Sequence, residues 1–211
     1  MQKMIQIMLQ GSLVSLEVFF LTLLFALPLG LPIAAARMSK FKPLSWVANV
    51  FLLIIRGTPL MLQLIFVYFA PFHLFGLSYD RFVAAIIAMS VNYAAYFAEI
   101  YRGGIQAVPR GQYEAAKVLG YTKAQTFFRI VLPQVIKNIT PAMGNEVITL
   151  VKDTSLVQVI GVAELLRTAQ TQSSRLFTTT PIFVAGVFYF VMNWAVSAFF
   201  NVLEKKLNYY K

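Results

Sequence analysis

Residues 114–134 read EAAKVLGYTKAQTFFRIVLPQ, and this stretch decides how the chain is organised. It lies between long apolar runs in a 211-residue sequence of which 59% is hydrophobic and 12% is charged. The run QYEAAKVL predicts a short amphipathic helix, which Gly120 ends in the manner of a left-handed cap. Thr122, with Gln125 three residues later, predicts the capped start of a second helix. We name residues 109–134 the elbow, and predict that it is a helix-turn-helix.

Apolar runs long enough to cross a membrane recur along the rest of the chain. A mean hydropathy of +0.70 places the sequence with membrane proteins. A hydrocarbon core of about 30 Å needs about 20 apolar residues. Five runs approach that length, the fourth more weakly than the others: Leu13–Ala36, Leu44–Ala70, Phe82–Tyr101, Val135–Val151 and Pro181–Leu203. The sequence predicts one domain over residues 1–211, an all-α integral membrane protein with five transmembrane helices and the elbow between helices 3 and 4.

The positions of the cations predict how the chain crosses the membrane. Twelve of its 18 Lys and Arg residues fall between predicted spans one and two, between spans three and four, or after span five. Since cytoplasmic loops carry an excess of cations, we expect the N-terminus outside and the C-terminus and elbow in the cytoplasm. A net charge of +10 would suggest nucleic acid for a soluble protein, but here the charges set topology and no nucleic-acid partner is expected.

The residue inventory argues against catalysis by this chain. Cysteine is absent and His73 is the only histidine, so thiolate chemistry is excluded and no metal-ligand spacing is recognised. The nucleophile and zinc motifs of hydrolases are missing as well. An intramembrane enzyme is therefore a poor interpretation.

Helix-breaking residues interrupt two of the predicted spans. The stretch ALPLGLPIAAA predicts a kink in the cytoplasmic half of span one. In span two, Arg56–Pro59 reads RGTP within an otherwise apolar run. This break is either a packing kink with Arg56 reaching a headgroup or part of a functional site, and both readings stay open. Between spans four and five, short amphipathic pieces such as Val159–Leu166 are expected near the outer surface.

The elbow and two further motifs resemble the membrane-spanning permease subunits of bacterial ABC importers. The cytoplasmic loop signature of that family, E-A-A-x3-G-x9-I-x-L-P, is matched here by Glu114, Ala115, Ala116, Gly120, Ile130, Leu132 and Pro133. RGTP at Arg56–Pro59 and KDTSL at Lys152–Leu156 are similar to the polar amino-acid branch, the histidine, arginine and glutamine permeases. The resemblance covers nearly the whole chain.

The resemblance implies a set of partners in the bacterial cytoplasmic (inner) membrane. The elbow would be the coupling helix: Glu114, Ala115, Ala116 and Gly120 would dock on one of two ATP-binding subunits, with Gly120 supplying the bend. The seven matched residues together would couple the closure of that subunit to the spans. A second permease subunit, for which we expect a homodimer, and an extracytoplasmic solute-binding protein would complete the importer. No Gly-Lys dipeptide occurs in the sequence, so a Walker phosphate loop is missing and ATP and Mg are expected on the partner ATPase.

Charged residues inside the predicted spans are candidates for the cargo site. A charge at the bilayer centre costs on the order of 2.5–3.5 kcal/mol, which makes such residues functional candidates. We interpret Glu17, Glu146 and Asp153 as partners for the cationic parts of an amino acid, and Arg56 or nearby backbone donors as partners for its carboxylate. Additional hydrogen-bonding candidates are Thr58, Tyr68, Asn92, Asn145 and Ser155. The alternative for each acid is an internal ion pair, for example between Arg56 and Glu146.

The balance of these charges favours a cationic cargo. Three acidic residues face two basic ones in the outer half of the spans, which favours arginine, lysine or histidine over glutamine. Glu99 and Arg102, near the inner end of span three, are expected to pair locally. The predicted function is ATP-driven import of polar, cationic amino acids. The alternative is an ion-gradient-driven amino-acid carrier or channel, in which the carboxylates would bind protons or sodium.

Overall fold

Every regular element that the structure, a computed structural model, describes within residues 2–78 and 80–207 is a helix. In chain order they are α1 (Gln2–Arg37), α2 (Lys42–Gly57), α3 (Leu60–Phe75), α4 (Arg81–Gln106), α5 (Arg110–Val118), α6 (Lys123–Thr126), a π-helix (Phe127–Val131), α7 (Leu132–Asp153), a 3-10 helix (Thr154–Ile160), α8 (Leu165–Leu176) and α9 (Thr180–Leu207). The predicted all-α fold is confirmed. Lys211, one of the cations used to predict orientation, lies outside the described residues.

The centre of the bundle is the packing of α1 along α4. Gly30 permits the close approach, since an added Cβ would lie 3.2 Å from the backbone oxygen of Ala94. Tyr93 and Phe97 of α4 are buried in the main core. The helix α1 begins earlier than the predicted span and continues through its two internal prolines. Near them, the Tyr101 hydroxyl of α4 donates a hydrogen bond to the Leu27 carbonyl at 3.2 Å.

Three helices in the described part of the chain, α1, α4 and α9, are long and apolar enough to cross a membrane. The bent pair α2 and α3 would make a fourth span if it crosses as one unit. The helix α7 corresponds to the weaker predicted span and does not meet the same length and composition test. Large apolar side chains such as Phe183, Phe190 and Trp194 of α9 are exposed, as expected of a lipid-facing helix. The count of five spans stays a prediction.

The second predicted span is broken at the position of the RGTP motif. The axes of α2 and α3 meet at 107° across Thr58 and Pro59. Thr58 is extended, with φ −118° and ψ 146°. This follows from Pro59, because a proline disfavours helical backbone at the preceding residue and removes a backbone donor. The break is therefore a sharp corner and not a mild packing kink.

The elbow is a helix-turn-helix, as the sequence predicts. The helix α5 is followed by Gly120 in the left-handed region, with φ 78°. The Thr122 hydroxyl then accepts a hydrogen bond from the Gln125 backbone N–H at 3.2 Å, and the Gln125 side chain accepts one from the Thr122 N–H at 2.9 Å. These reciprocal bonds form the predicted capping box and start α6.

A π-helix joins the elbow to α7. The Leu132 backbone N–H donates to the Phe127 carbonyl, five residues earlier, instead of the usual four. Pro133 explains the widening, because it has no N–H to give to the carbonyl four residues before it. The Gln134 side chain supplies a further donor, to the Ile130 carbonyl at 2.7 Å. The backbone around Pro133 is thereby satisfied without an uninterrupted α-helix.

The segment between α7 and α9 differs from the sequence prediction. The expected amphipathic piece Val159–Leu166 is wrong, because Gly161, with φ 92°, separates the 3-10 helix from α8. Instead, α8 buries Leu165 and Ala169 in a small cluster with Met8 of α1. Gly11 lets the helices approach, since an added Cβ would lie 3.1 Å from the Leu165 Cα.

Two adjacent glycines of α4 allow a matched test of this packing. A Cβ on Gly104 would collide with the Ile139 side chain of α7, whereas nothing lies within 4 Å of one on Gly103. We expect Gly104→Ala to lower the free energy of unfolding by about 1–3 kcal/mol. The control Gly103→Ala is expected to be neutral or to stabilise the helix by about 0.5–1 kcal/mol. Thermal unfolding in detergent measures both; equal effects would show that α4 and α7 do not meet at Gly104.

Candidate translocation site

The end of α7 places two carboxylates two helical turns apart. Asp153 is the last residue of the helix and Glu146 precedes it by seven residues, so both lie on one face. The Tyr93 hydroxyl of α4 donates to Asp153 Oδ2 at 2.8 Å. Because Tyr93 is only 2% exposed, it holds the carboxylate from the protein side. The chain continues directly into the 3-10 helix, so the negative charge at this position is that of the carboxylates themselves.

Arg56, at the corner between α2 and α3, is held by α4. Its Nη1 lies 3.6 Å from Glu99 Oε2, and its guanidinium lies 5.3 Å from the centre of the Tyr96 ring. Glu99 also accepts two hydrogen bonds from Arg102, at 3.0 and 2.8 Å. The local Glu99–Arg102 pair is therefore confirmed. Within the described residues the ion pair of Arg56 is with Glu99 and not with Glu146, so that alternative is wrong. The Arg56 side chain remains 43% exposed.

Gln63, which the sequence analysis missed, closes the corner. Its side-chain nitrogen lies within hydrogen-bond distance of the Ile55 carbonyl at 2.7 Å, the Thr58 carbonyl at 3.2 Å and the Thr58 hydroxyl at 2.8 Å. Its side-chain oxygen accepts from the Asn92 amide at 2.9 Å. Carbonyls freed by a broken membrane helix need such donors, because lipid supplies none. Thr58 and Asn92 are thus engaged in the corner, and their contact with cargo stays a prediction.

Replacement of Gln63 by methionine is expected to lower the free energy of unfolding by about 1–3 kcal/mol, because the Ile55 carbonyl loses a donor. Thermal unfolding in detergent measures the loss. Gln10→Met is the matched control, since Gln10 is exposed and makes no side-chain hydrogen bond to the described residues. If the corner between α2 and α3 does not depend on Gln63, the two variants will have the same midpoint of thermal unfolding.

The remaining predicted cargo residues are scattered around this centre. Glu17 lies on an exposed face of α1 and Asn145 on an exposed face of α7, neither with a side-chain partner among the described residues. The Ser155 hydroxyl donates to the Lys152 carbonyl at 2.7 Å. Tyr68 accepts a hydrogen bond from Arg81 Nε at 3.3 Å. The structure therefore joins Asp153 to Tyr93, and Thr58 and Asn92 to Gln63, but it does not bring the whole predicted set into contact.

One face of α7 is polar although the helix packs among apolar neighbours. Asn138, Asn145 and Lys152 are exposed and follow one another at seven-residue spacing, which puts them on one side. Val147 and Leu150 on the other side are buried. Polar groups at membrane depth face a water-filled cavity or another protein surface. The polar stripe is therefore the candidate side of α7 for such a cavity or protein surface.

The elbow exposes an apolar tip at one end of the bundle. The side chains of Val118 and Leu119 are 87% and 73% exposed, and Glu114 and Ala115 are exposed too, whereas Ala116 is buried. The other matched signature residues, Ile130, Leu132 and Pro133, are half-buried where the elbow joins α7. In the described residues, no group of three or more His, Cys, Asp or Glu side chains could hold a metal ion.

The apolar helical bundle, the helix break at the RGTP motif and the exposed helix-turn-helix agree with the membrane subunit of a transporter that the sequence predicts. Residues 26–209 match the family described as binding-protein-dependent transport system inner membrane component, and the chain belongs to that family. The resemblance inferred from the elbow signature is confirmed.

Named relatives place the chain among amino-acid permeases. It is 37% identical to the arginine transport system permease protein ArtQ of Bacillus subtilis (strain 168), over 96% of this chain and 93% of that protein. It is 41% identical to the L-cystine transport system permease protein TcyB of the same strain, over 95% of this chain and 86% of that protein. The solved structure of an amino acid ABC transporter with histidines superposes with a TM-score of 0.91 at 39% identity, covering 98% and 96% of the two chains.

The chain is accordingly an amino-acid ABC transporter permease, a membrane protein without its own ATPase site. ATP is hydrolysed by a partner subunit, and family membership implies a solute-binding protein as a further partner.

Proposed function

We propose that this permease carries cationic amino acids, of the arginine, lysine and histidine class, inward across the bacterial cytoplasmic membrane. The observation that carries the proposal is the Asp153 carboxylate at the end of α7, held at 2.8 Å by the Tyr93 hydroxyl. A carboxylate that is held in place by a neutral hydroxyl presents a fixed acceptor to a cation, and a hydrogen bond between charged partners is stronger than a neutral one. Glu146, two turns back on the same face, adds a second negative charge along the path.

The other end of an amino acid requires a donor for its carboxylate. Arg56 supplies one, because its ion pair with Glu99 at 3.6 Å leaves the side chain 43% exposed. Its place at a helix break agrees with transporter sites in general, where interrupted helices surround the cargo near the membrane midplane. The named arginine relative and the solved transporter with histidines support a cationic cargo, whereas the L-cystine relative has a zwitterionic one. Charge at Asp153 is therefore the feature to test.

The elbow is proposed to couple this path to ATP. Its tip exposes Val118 and Leu119, which a short helix in water leaves without partners and which fit an apolar groove on another protein. In this proposal two copies of the chain form the path, two ATPase subunits bind the elbows in the cytoplasm, and a solute-binding protein delivers cargo to the opposite side. The excess of cations on the elbow side supports an external N-terminus and a cytoplasmic C-terminus.

Uptake of labelled arginine tests the proposal. The chain and its ATPase are reconstituted in proteoliposomes with a solute-binding protein, and ATP is either supplied or replaced by an imposed ion gradient. We expect uptake to require ATP and the ATPase, and unlabelled lysine or histidine to compete better than glutamine. Uptake driven by the gradient in the absence of the ATPase would support an ion-coupled carrier instead. Stronger competition by glutamine would refute the cationic preference.

A further inference from the structure

The ion pairs beside the corner between α2 and α3 hold more positive than negative charge. Among the described residues, Glu99 of α4 is the one carboxylate within 4 Å of a charged nitrogen of Arg56 or Arg102. Arg37, at the end of α1, attracts the same carboxylate from a longer distance. One anion is therefore shared among several cations, and this cluster keeps a net positive charge.

Arg102 holds Glu99 more tightly than Arg56 does. The Arg102 Nε donates to Glu99 Oε1 at 3.0 Å, and its Nη2 donates to Oε2 at 2.8 Å. A fork of two such bonds is a strong pairing of guanidinium and carboxylate, and it also fixes the orientation of the carboxylate. The Gln106 side chain accepts a further hydrogen bond from Arg102 Nη1 and restrains the guanidinium. Glu99 is thus turned toward Arg102.

Arg56 lies close to the same carboxylate without a hydrogen bond to it. Its Nη1 is 3.6 Å from Glu99 Oε2, whereas a nitrogen donor bonds to an oxygen at no more than about 3.2 Å. The Tyr96 ring, with its centre 5.3 Å from the guanidinium carbon, attracts the charge without accepting an N–H group in a conventional hydrogen bond. Arg56 is therefore held near the corner while its donors stay available to another acceptor.

We propose that Arg102 is a positioning residue for the carboxylate of the cargo, because it keeps Glu99 from engaging Arg56. The inference rests on the proposed function, in which Arg56 binds that carboxylate. Without Arg102, the Glu99 carboxylate would be free to turn and to form its fork with Arg56, whose Nη1 is only 3.6 Å away. Cargo would then have to break a charged pair before it could bind. Arg102 acts on the cargo through Glu99.

The excess positive charge favours the same role. A cation without a full counter-charge at membrane depth costs free energy, and the carboxylate of an amino acid supplies the missing charge. It competes for Arg56 with a carboxylate that already has two hydrogen bonds from Arg102. The competition therefore favours the cargo for as long as Arg102 retains Glu99.

Binding to the purified complex of the permease and its ATPase in lipid nanodiscs tests the inference, with labelled arginine and labelled agmatine as probes. Agmatine is arginine without its carboxylate, so the ratio of the two dissociation constants reports on the carboxylate contact. Arg102→Gln is expected to weaken arginine binding by about tenfold, because a hydrogen bond to a charged group is lost to the cargo, and to leave agmatine binding unchanged. Arg175→Gln, at an exposed arginine of α8, is the matched control and should change neither constant.

A second substitution separates this role from a loss of packing. Glu99→Gln removes the charge that would engage Arg56, so its addition to Arg102→Gln should restore arginine binding to within about twofold of the wild type. A bundle that is weakened by the loss of the Arg102 side chain would not be repaired by the loss of its partner. The double variant therefore distinguishes a positioning residue from a structural one.

Three results would overturn this inference and leave the cationic preference intact. One is unchanged arginine binding in Arg102→Gln. Another is an equal loss of arginine and agmatine binding, which would give Arg102 a structural role, and the third is a double variant that binds arginine as weakly as Arg102→Gln does. A wild-type complex that binds agmatine as tightly as arginine would overturn both the inference and the role of Arg56. Failure of the proposed function as a whole is separate, because it shows as wild-type uptake that needs no ATP.

Discussion

Leu119→Asp is expected to lower ATP-driven uptake by at least about tenfold without unfolding the bundle. The Leu119 side chain is 73% exposed at the tip of the elbow, so its replacement removes little from the folded chain. In a complex, docking would bury it, and burying one such side chain is worth about 1.5–3 kcal/mol. A carboxylate in its place must also lose its hydration. Co-purification of the ATPase and uptake in proteoliposomes measure the two consequences.

A matched variant separates docking from a general effect of a new charge. Phe177 directly follows the last residue of α8 and is 96% exposed. Phe177→Asp therefore introduces the same carboxylate at a surface outside the elbow. It should leave co-purification of the ATPase unchanged. If Leu119→Asp also co-purifies the ATPase normally and transports at the wild-type rate, the elbow is an interfacial helix on lipid headgroups and not a coupling element.

Asp153→Asn is expected to lower the uptake of arginine by tenfold to about a hundredfold, because a hydrogen bond to a charged group contributes about 1.5–3 kcal/mol. The amide keeps the size of the side chain and can still bond to the Tyr93 hydroxyl, which now lies 2.8 Å from Asp153 Oδ2. Assembly with the ATPase should therefore persist. Uptake of labelled arginine and glutamine by the same vesicles measures the effect, and glutamine should lose less.

Two further variants test whether the charge of Asp153 is responsible for the loss of arginine uptake. Tyr93→Phe retains the carboxylate and removes only its donor, so it should reduce arginine uptake less than Asp153→Asn does. Glu204→Gln removes a carboxylate near the end of α9, far in sequence from Asp153 and from the corner between α2 and α3. It should not change the preference for arginine over glutamine. Equal losses for arginine and glutamine in Asp153→Asn would give Asp153 a structural role and leave the cationic preference without support.

Local signals were sufficient for the elbow and for the corner in the second span. Gly120, Thr122 and Gln125 act within a few residues of one another, so their sequence spacing predicts the turn and the capping box that form. Pro59 likewise acts on its neighbour Thr58, and the break falls where the motif predicts it. The angle of 107° between the helices was not predictable, because it depends on how α3 packs against α4.

Partners distant in sequence were missed. Gln63 and Asn92 are 29 residues apart, and no local pattern pairs them, although a lone glutamine in the apolar run LMLQLIF was a signal that a polar group needed a partner. The Tyr93 contact with Asp153 spans 60 residues and was missed for the same reason. The sequence predicts that Glu99 pairs with Arg102, which is three residues away. It does not predict that Glu99 also pairs with Arg56, which is distant in sequence.

The π-helix at Phe127–Val131 has a consequence for chain length. Each residue of an α-helix turns the chain by about 100°, so a turn that holds one additional residue stores that rotation locally. Because the π-turn absorbs that residue, deleting one residue between Phe127 and Val131 would let the turn relax to α-geometry while α5 and α7 keep their relative orientation. The junction can thus tolerate the loss of a single codon, a change that a regular α-helix would convert into a rotation of the elbow by about 100°.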